Sequence, residues 1–125
     1  MTLKLPILEQ SLTDGEVVSS EREAMFSIDT SVYSEERWEQ HFPELAKKEG
    51  LFQYVERIQK ETATERVKVA CMLKAVYCFI ESDDVPTYKS FAQMINLATP
   101  EYTTRMIKIL HSAFNAILGG SSVKN

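Results

Sequence analysis

The chain has 125 residues, with 44% hydrophobic, 26% charged and 10% aromatic side chains. That composition excludes wholesale disorder and leaves room for one domain with an arm. Four Gly and four Pro exclude collagen-like and Pro-rich chains, and a net charge of −4 argues against a surface built for polyanions.

The charge is uneven: residues 1–63 carry 13 acidic and 7 basic side chains, residues 64–125 carry 5 and 7. The longest apolar stretch, Val69 to Ile80, is interrupted by Lys74 and is too short for a bilayer. The first residues lack a basic region followed by an apolar run, so no signal peptide and a reduced cytoplasmic setting are expected.

Residues 1–30 are expected to form an N-terminal arm or small β element. Leu3, Leu5 and Ile7 alternate with Lys4 and Pro6, a period-2 signal that Pro6 restricts to an edge strand or extended arm. Thr13-Asp14-Gly15 is a turn signal, and Phe26 and Ile28 suggest a second weak strand. The polar stretch between, Glu16 to Glu23, carries little pattern.

From Ser31 the period becomes helical. Ser34 is expected to cap a helix with Glu35 and Glu36 in its first turn, Trp38 and Phe42 on one face, and Pro43 at its end. A second helix should run from Pro43 or Gly50 to Lys60, with Leu51, Val55 and Ile58 as its stripe and a break at Gly50. Thr62 or Thr64 should cap a third, to about Glu81. It is apolar almost all round and so must be surrounded by protein.

Asp83-Asp84-Val85-Pro86 reads as a break, Thr87 as the cap of a short fourth helix with Tyr88, Phe91, Ala92 and Ile95 on one face. Thr99-Pro100-Glu101 opens a fifth helix that Gly119-Gly120 stops after Leu118. The expected fold is mainly α: a compact bundle of about five helices around a central apolar helix, with a helical domain over 31–120 and a flexible tail over 121–125.

No catalytic, cofactor-binding or metal-binding constellation is expected. There is no phosphate loop, nucleophile elbow or His pair at metal spacing. Cys71 and Cys78 would lie about 10 Å apart on one helix, beyond disulfide reach, and read as small apolar residues. His41 and His111 stand apart from any ligand cluster, and Glu35, Glu36 and Glu39 read as a solvated helix face. Asp83 and Asp84 lack further oxygen ligands at regular spacing.

Two binding readings remain. Helices four and five imitate a helix-turn-helix with Arg105 and Lys108 on the exposed arc. Few cations and an acidic chain weigh against DNA. The other is a module that binds polypeptides through surplus apolar surface, with Met25, Met72, Met94 and Met106 as adaptable lining.

Residues 26–58 carry a resemblance. Phe26-Ser27-Ile28-Asp29-Thr30-Ser31 leads to Tyr33, then Glu36-Arg37-Trp38-Glu39, Phe42-Pro43-Glu44, Glu49-Gly50-Leu51-Phe52 and Tyr54-Val55-Glu56-Arg57-Ile58. This resembles the tail assembly chaperones of long-tailed bacteriophages that infect Gram-positive hosts: a strand ending in Asp, a helix bearing Arg-Trp-Glu, a Phe-Pro corner and an aromatic helix. The resemblance covers about a quarter of the chain.

It implies a non-enzymatic protein that acts in the host cytoplasm, is absent from the mature virion, and binds the long apolar tape measure protein, keeping it soluble during tail morphogenesis. It also implies a homo-oligomer, with no nucleic-acid or membrane partner. On this reading Met106, Ile107, Phe114, Ile117 and Leu118 would form a groove for an apolar helix face, and Trp38 and Phe42 would be core. Such genes often make a longer product by a −1 frameshift, for which the codons of Lys124-Asn125 are a candidate slip site. The alternative is a small helix-turn-helix regulator.

Overall fold

The computed structural model describes residues 1–80, 85, 87–97 and 99–119. Its first element is a long antiparallel hairpin, β1 (Thr2–Thr13) and β2 (Glu16–Ser27), in the register Leu3↔Phe26, Leu5↔Ala24, Ile7↔Arg22 and Leu12↔Val17. Asp14 and Gly15 join the strands with φ of 52° and 79°. Both angles are left-handed, as the turn that matches the twist of a two-residue hairpin requires. Pro6 is tolerated because each strand of a two-stranded ribbon is an edge.

This hairpin corrects the expected fold class. The protein is mixed α and β, not a mainly α bundle, and the stretch Glu16 to Glu23 that showed no pattern is regular strand. The reason is physical: burial alternates along a strand only where one face is covered, and residues 11–23 are exposed on both faces. At the base of the ribbon an isolated antiparallel bridge joins Ile28 to Ile80, and the Asp29 N–H donates to the Phe79 carbonyl at 2.7 Å.

Among the described residues six helices follow: α1 (Val32–His41), α2 (Pro43–Ala46), α3 (Leu51–Lys60), α4 (Glu65–Phe79), α5 (Tyr88–Gln93) and α6 (Pro100–Ile117). The cap of α1 is Ser31, not Ser34. Its Oγ accepts from the Tyr33 N–H, and its own N–H is held by Asp29 Oδ1 at 2.9 Å. Ser34 lies one turn inside, buried, donating to the Ser31 carbonyl at 2.7 Å. Thr64, Thr87 and Thr99 cap α4, α5 and α6. Gly50 separates α2 from α3, and Gly119, at φ 82°, follows the last helix. Glu81, Asp83, Asp84, Pro86, Gly120 and the tail 121–125, where a helix end, a break and a loose tail were expected, lie outside the described residues.

Helix α4 touches α1, α3, α5 and α6 and buries Val69, Met72, Leu73 and Ala75 through Phe79. Four neighbours enclose its C-terminal half, where Ala75 through Phe79 are buried without a single stripe, while Arg66, Val67 and Ala70 near its start stay exposed. Leu3, Leu5, Ile7 and Phe26 join the same core, where Phe26 meets Phe91 edge to face at 5.7 Å. Burying an aliphatic side chain of this size contributes about 1.5–3 kcal/mol. The base of the ribbon is thus anchored while its distal half carries no such anchor.

Candidate partner-binding surface

The residues behind the resemblance are bound to one another. Trp38 is fully buried and its Nε1 donates to the Glu49 carbonyl at 3.0 Å. The Glu35 carboxylate accepts from the Leu51 N–H at 3.0 Å, placing an anion on the first turn of α3. Gln53 accepts from the Gly50 N–H, and Arg57 reaches back to Glu49 at 2.6 Å. Phe42, partly buried, stacks between Trp38 and Tyr88. Asp29 faces Arg37 at 3.6 Å, and Arg37 is 3% exposed. These side chains build a corner between α1 and α3, in which Trp38 and Arg37 are buried while Gln53 and Arg57 stay exposed.

The residues expected to form a groove on α6 divide. Met106 and Phe114 have no exposed surface and belong to the core. Ile107, Ile117 and Leu118 are partly buried and packed against it. As the protein stands, a groove needing Met106 and Phe114 is closed, because α4 and β1 cover that side of α6. Arg105, expected on an exposed recognition arc, is paired with Glu21 of the hairpin, a bond that lowers the Glu21 carboxyl and raises the guanidinium.

Open apolar surface lies instead on the hairpin. Leu12 is 73% exposed and Val17 69%, and the two are cross-strand partners beside the turn. Val18 and Met25 are also exposed. Beneath the ribbon, a hollow of about 600 Å³ opens between the two strands and α5, lined by Ile7, Leu8, Glu9, Arg22, Gln93 and Met94 among others. Glu9 and Arg22 cross it as a half-exposed pair at 2.8 Å. Tyr102 of α6 donates its hydroxyl to the Pro6 carbonyl and so ties the ribbon to the body. Sequence reasoning named Met25, Met94 and the turn at Asp14-Gly15, but did not join them into one surface, because the full length of the ribbon was not expected.

Among the described residues the titratable groups show no reactive cluster. Burial pushes the Cys78 thiol up to about 12, opposite to the direction that would activate it. His41 is exposed against the Tyr77 ring at 5.1 Å, and His111 is lowered, chiefly by burial and then by Lys68. Among the described residues no group of three or more His, Cys, Asp or Glu side chains is placed to hold a metal ion. Among them, too, no helix is long and apolar enough to cross a membrane. No family model, curated protein or solved structure matches this chain in comparison with known proteins.

Proposed function

We propose that this protein is a non-enzymatic assembly chaperone of the tail-assembly kind that residues 26–58 resemble, with a long apolar helical client such as a tape measure protein. The observation that carries the reading is the ribbon and the hollow beneath it. Leu8 and Met94 offer partly open apolar surface at its walls, while Gln93, Glu9 and Arg22 keep it wet. A client helix lying there would bury its apolar face between ribbon and α5, the logic of helix-in-groove recognition.

A shallow, polar-rimmed hollow holds one helical segment weakly. Many copies along one rod would hold it firmly in sum, and a polymerising tube could displace them one at a time. The protein would then act in the host cytoplasm and be absent from the finished particle. It would need no cofactor.

Co-expression tests this. A tape measure protein made alone should pellet, and made with this protein should remain in the supernatant. Met94→Lys together with Ser20→Trp should block the hollow and return the client to the pellet, with the far-ultraviolet circular dichroism of the variant unchanged. A client equally insoluble with and without the wild-type protein would sink the proposal.

A further inference from the structure

We infer that the outer edge of β2 takes up an extended, basic strand of another protein, which joins the ribbon as a third strand. The ladder sets which backbone groups are free. In an antiparallel pair, residues that exchange hydrogen bonds alternate with residues whose N–H and C=O point outward. The two-residue turn makes Thr13 and Glu16 an exchanging pair. At the other end of the same series the Ile28 N–H donates to the Met1 carbonyl at 2.9 Å. Counting by twos, the outward groups on β1 include those of Pro6, and on β2 those of Val17, Glu21, Glu23 and Met25.

The two edges differ. On β1, Pro6 has no N–H, its carbonyl accepts from the Tyr102 hydroxyl, and α6 packs on the strand. That edge is closed. On β2, the outward backbone groups of Val17, Glu21, Glu23 and Met25 have no partner among the described residues. Residues 16–23 are all exposed, the strand holds no Pro, and the register runs from Thr2↔Ser27 to Thr13↔Glu16 without a bulge. An open edge with neither Pro nor bulge is a template for another strand.

Charge selects the occupant. Between Leu5 and Ala24 the hairpin carries five carboxylates and one guanidinium. Arg22 is taken by Glu9, and Glu21 by Arg105 of α6. Even with Arg105 and Lys4, which line a recess beside Glu23, acids outnumber cations five to three. Asp14, Glu16 and Glu23 are exposed and have no ion-pair partner among the described residues. Glu16 and Glu23 stand toward the two ends of the edge, and the exposed Val17 and Met25 share the face of Glu23. An added strand with Lys or Arg across from the two glutamates, and β-branched residues across from Val17 and Met25, meets complements at each position. Opposite charges across a ladder stabilise it and like charges destabilise it. The same edge of a second copy brings acid to acid and is disfavoured.

This site is the backbone edge of the ribbon, separate from the hollow beneath it that the client reading uses. The probe is a synthetic peptide as long as residues 16–25, with lysine placed to meet Glu16 and Glu23 and valine or threonine elsewhere. Amide exchange of the full chain, followed by nuclear magnetic resonance, reads its binding. The amides of Val17, Glu21, Glu23 and Met25 should slow when the probe is added. Those of Val18, Arg22 and Ala24, already donated to β1, should change little. N-methylation of every second probe residue should weaken binding more than about tenfold in one phase and less than about twofold in the other. Glu16→Lys with Glu23→Lys should weaken it about three- to tenfold, and a probe with glutamate in place of lysine should recover the loss. Both positions are exposed, so the far-ultraviolet circular dichroism of the variant should be unchanged.

No binding up to about 1 mM probe overturns the inference. So does binding indifferent to the phase of N-methylation, which would place the peptide on a face of the ribbon or in the hollow. Equal binding of the glutamate probe to the wild type overturns the basic occupant. Protection of the same β2 amides that rises with protein concentration, without probe, overturns it too and makes the occupant a second copy. A protein that binds the probe as described and leaves the client in the pellet upholds this site and refutes the proposed function.

Discussion

The guanidinium of Arg37 and the carbonyl of Cys78, 41 positions apart, are joined by a 2.7 Å hydrogen bond in the buried seam between α1 and α4. Nε is the donor. Nη1 faces Asp29 at 3.6 Å, the ring of Tyr33 lies 4.7 Å from the guanidinium carbon, and Nη2 is buried with no hydrogen-bond partner among the described residues. One cation thus holds the last turn of the central helix against the helix that follows the hairpin.

The first prediction follows from that geometry. Arg37→Met roughly keeps the volume and removes the donor that Arg37 gives the Cys78 carbonyl in this buried seam, so it should cost about 1–3 kcal/mol by urea denaturation. Asp29→Asn should cost less, because the Asp29 side chain is 26% exposed and its partner is 3.6 Å away. Equal costs would show that the ion pair, not the carbonyl bond, holds the seam.

Asp29 also sets a pH dependence. Its carboxyl is held below the usual value first by the Ser31 hydroxyl, then by the Ser31 N–H, with Arg37 adding a smaller pull. A carboxyl whose folded pKa is depressed stabilises the fold above its unfolded pKa, near 3.9, and that stability is lost as pH falls through the folded value. The stability difference between wild type and Asp29→Asn should therefore be full above about pH 5 and shrink as pH falls through the lowered folded value. A difference constant across that range would remove Asp29 ionisation from the account.

Tyr102 ties the ribbon to α6. Its hydroxyl, raised to about 12 chiefly by burial, donates to the Pro6 carbonyl. Tyr102→Phe should cost about 0.5–1.5 kcal/mol and speed amide exchange in β1 and β2 more than in α4. Uniform acceleration across the chain would mean that the hydroxyl stabilises the whole fold and not the hairpin in particular.

The two ends of the α6 apolar arc should respond differently to one substitution. Phe114→Glu places a carboxylate where no surface is exposed and should unfold the protein. Leu118→Glu, at a partly buried position past the end of the helix, should leave a cooperative transition in place. Far-ultraviolet circular dichroism during heating separates them, and a folded Phe114→Glu protein would return Phe114 to the candidate groove.

The cysteines offer a check on packing. Cys78 is buried with its thiol raised to about 12, while Cys71 is only partly buried. Near neutral pH, iodoacetamide should label Cys71 well before Cys78, read by mass spectrometry of the peptides. Equal labelling would mean that α4 opens at its C-terminal end.

The sequence by itself marked the starts of α5 and α6 and narrowed that of α4 to Thr62 or Thr64, because capping is a local matter. Thr64, Thr87 and Thr99-Pro100 stand where α4, α5 and α6 begin, and Gly50 stands where α2 and α3 part. Asp14-Gly15 marked the turn for the same local reason. At α1 the local pattern pointed to Ser34, and the cap is Ser31. Ser31 prevailed through the Asp29 carboxylate that holds its N–H. The enclosure of α4 and of Trp38 was legible too, but the rest of the interior was decided only by the tertiary structure. The length of the ribbon was hidden because strands open on both faces show no alternation of burial. The division of the α6 arc into core and margin depended on α4 and β1, which pack on it from distant parts of the chain. Nothing near Arg37 marks it as buried, since its partner is the carbonyl of Cys78 on another helix. Capping reads neighbours along the chain, whereas burial depends on neighbours in space.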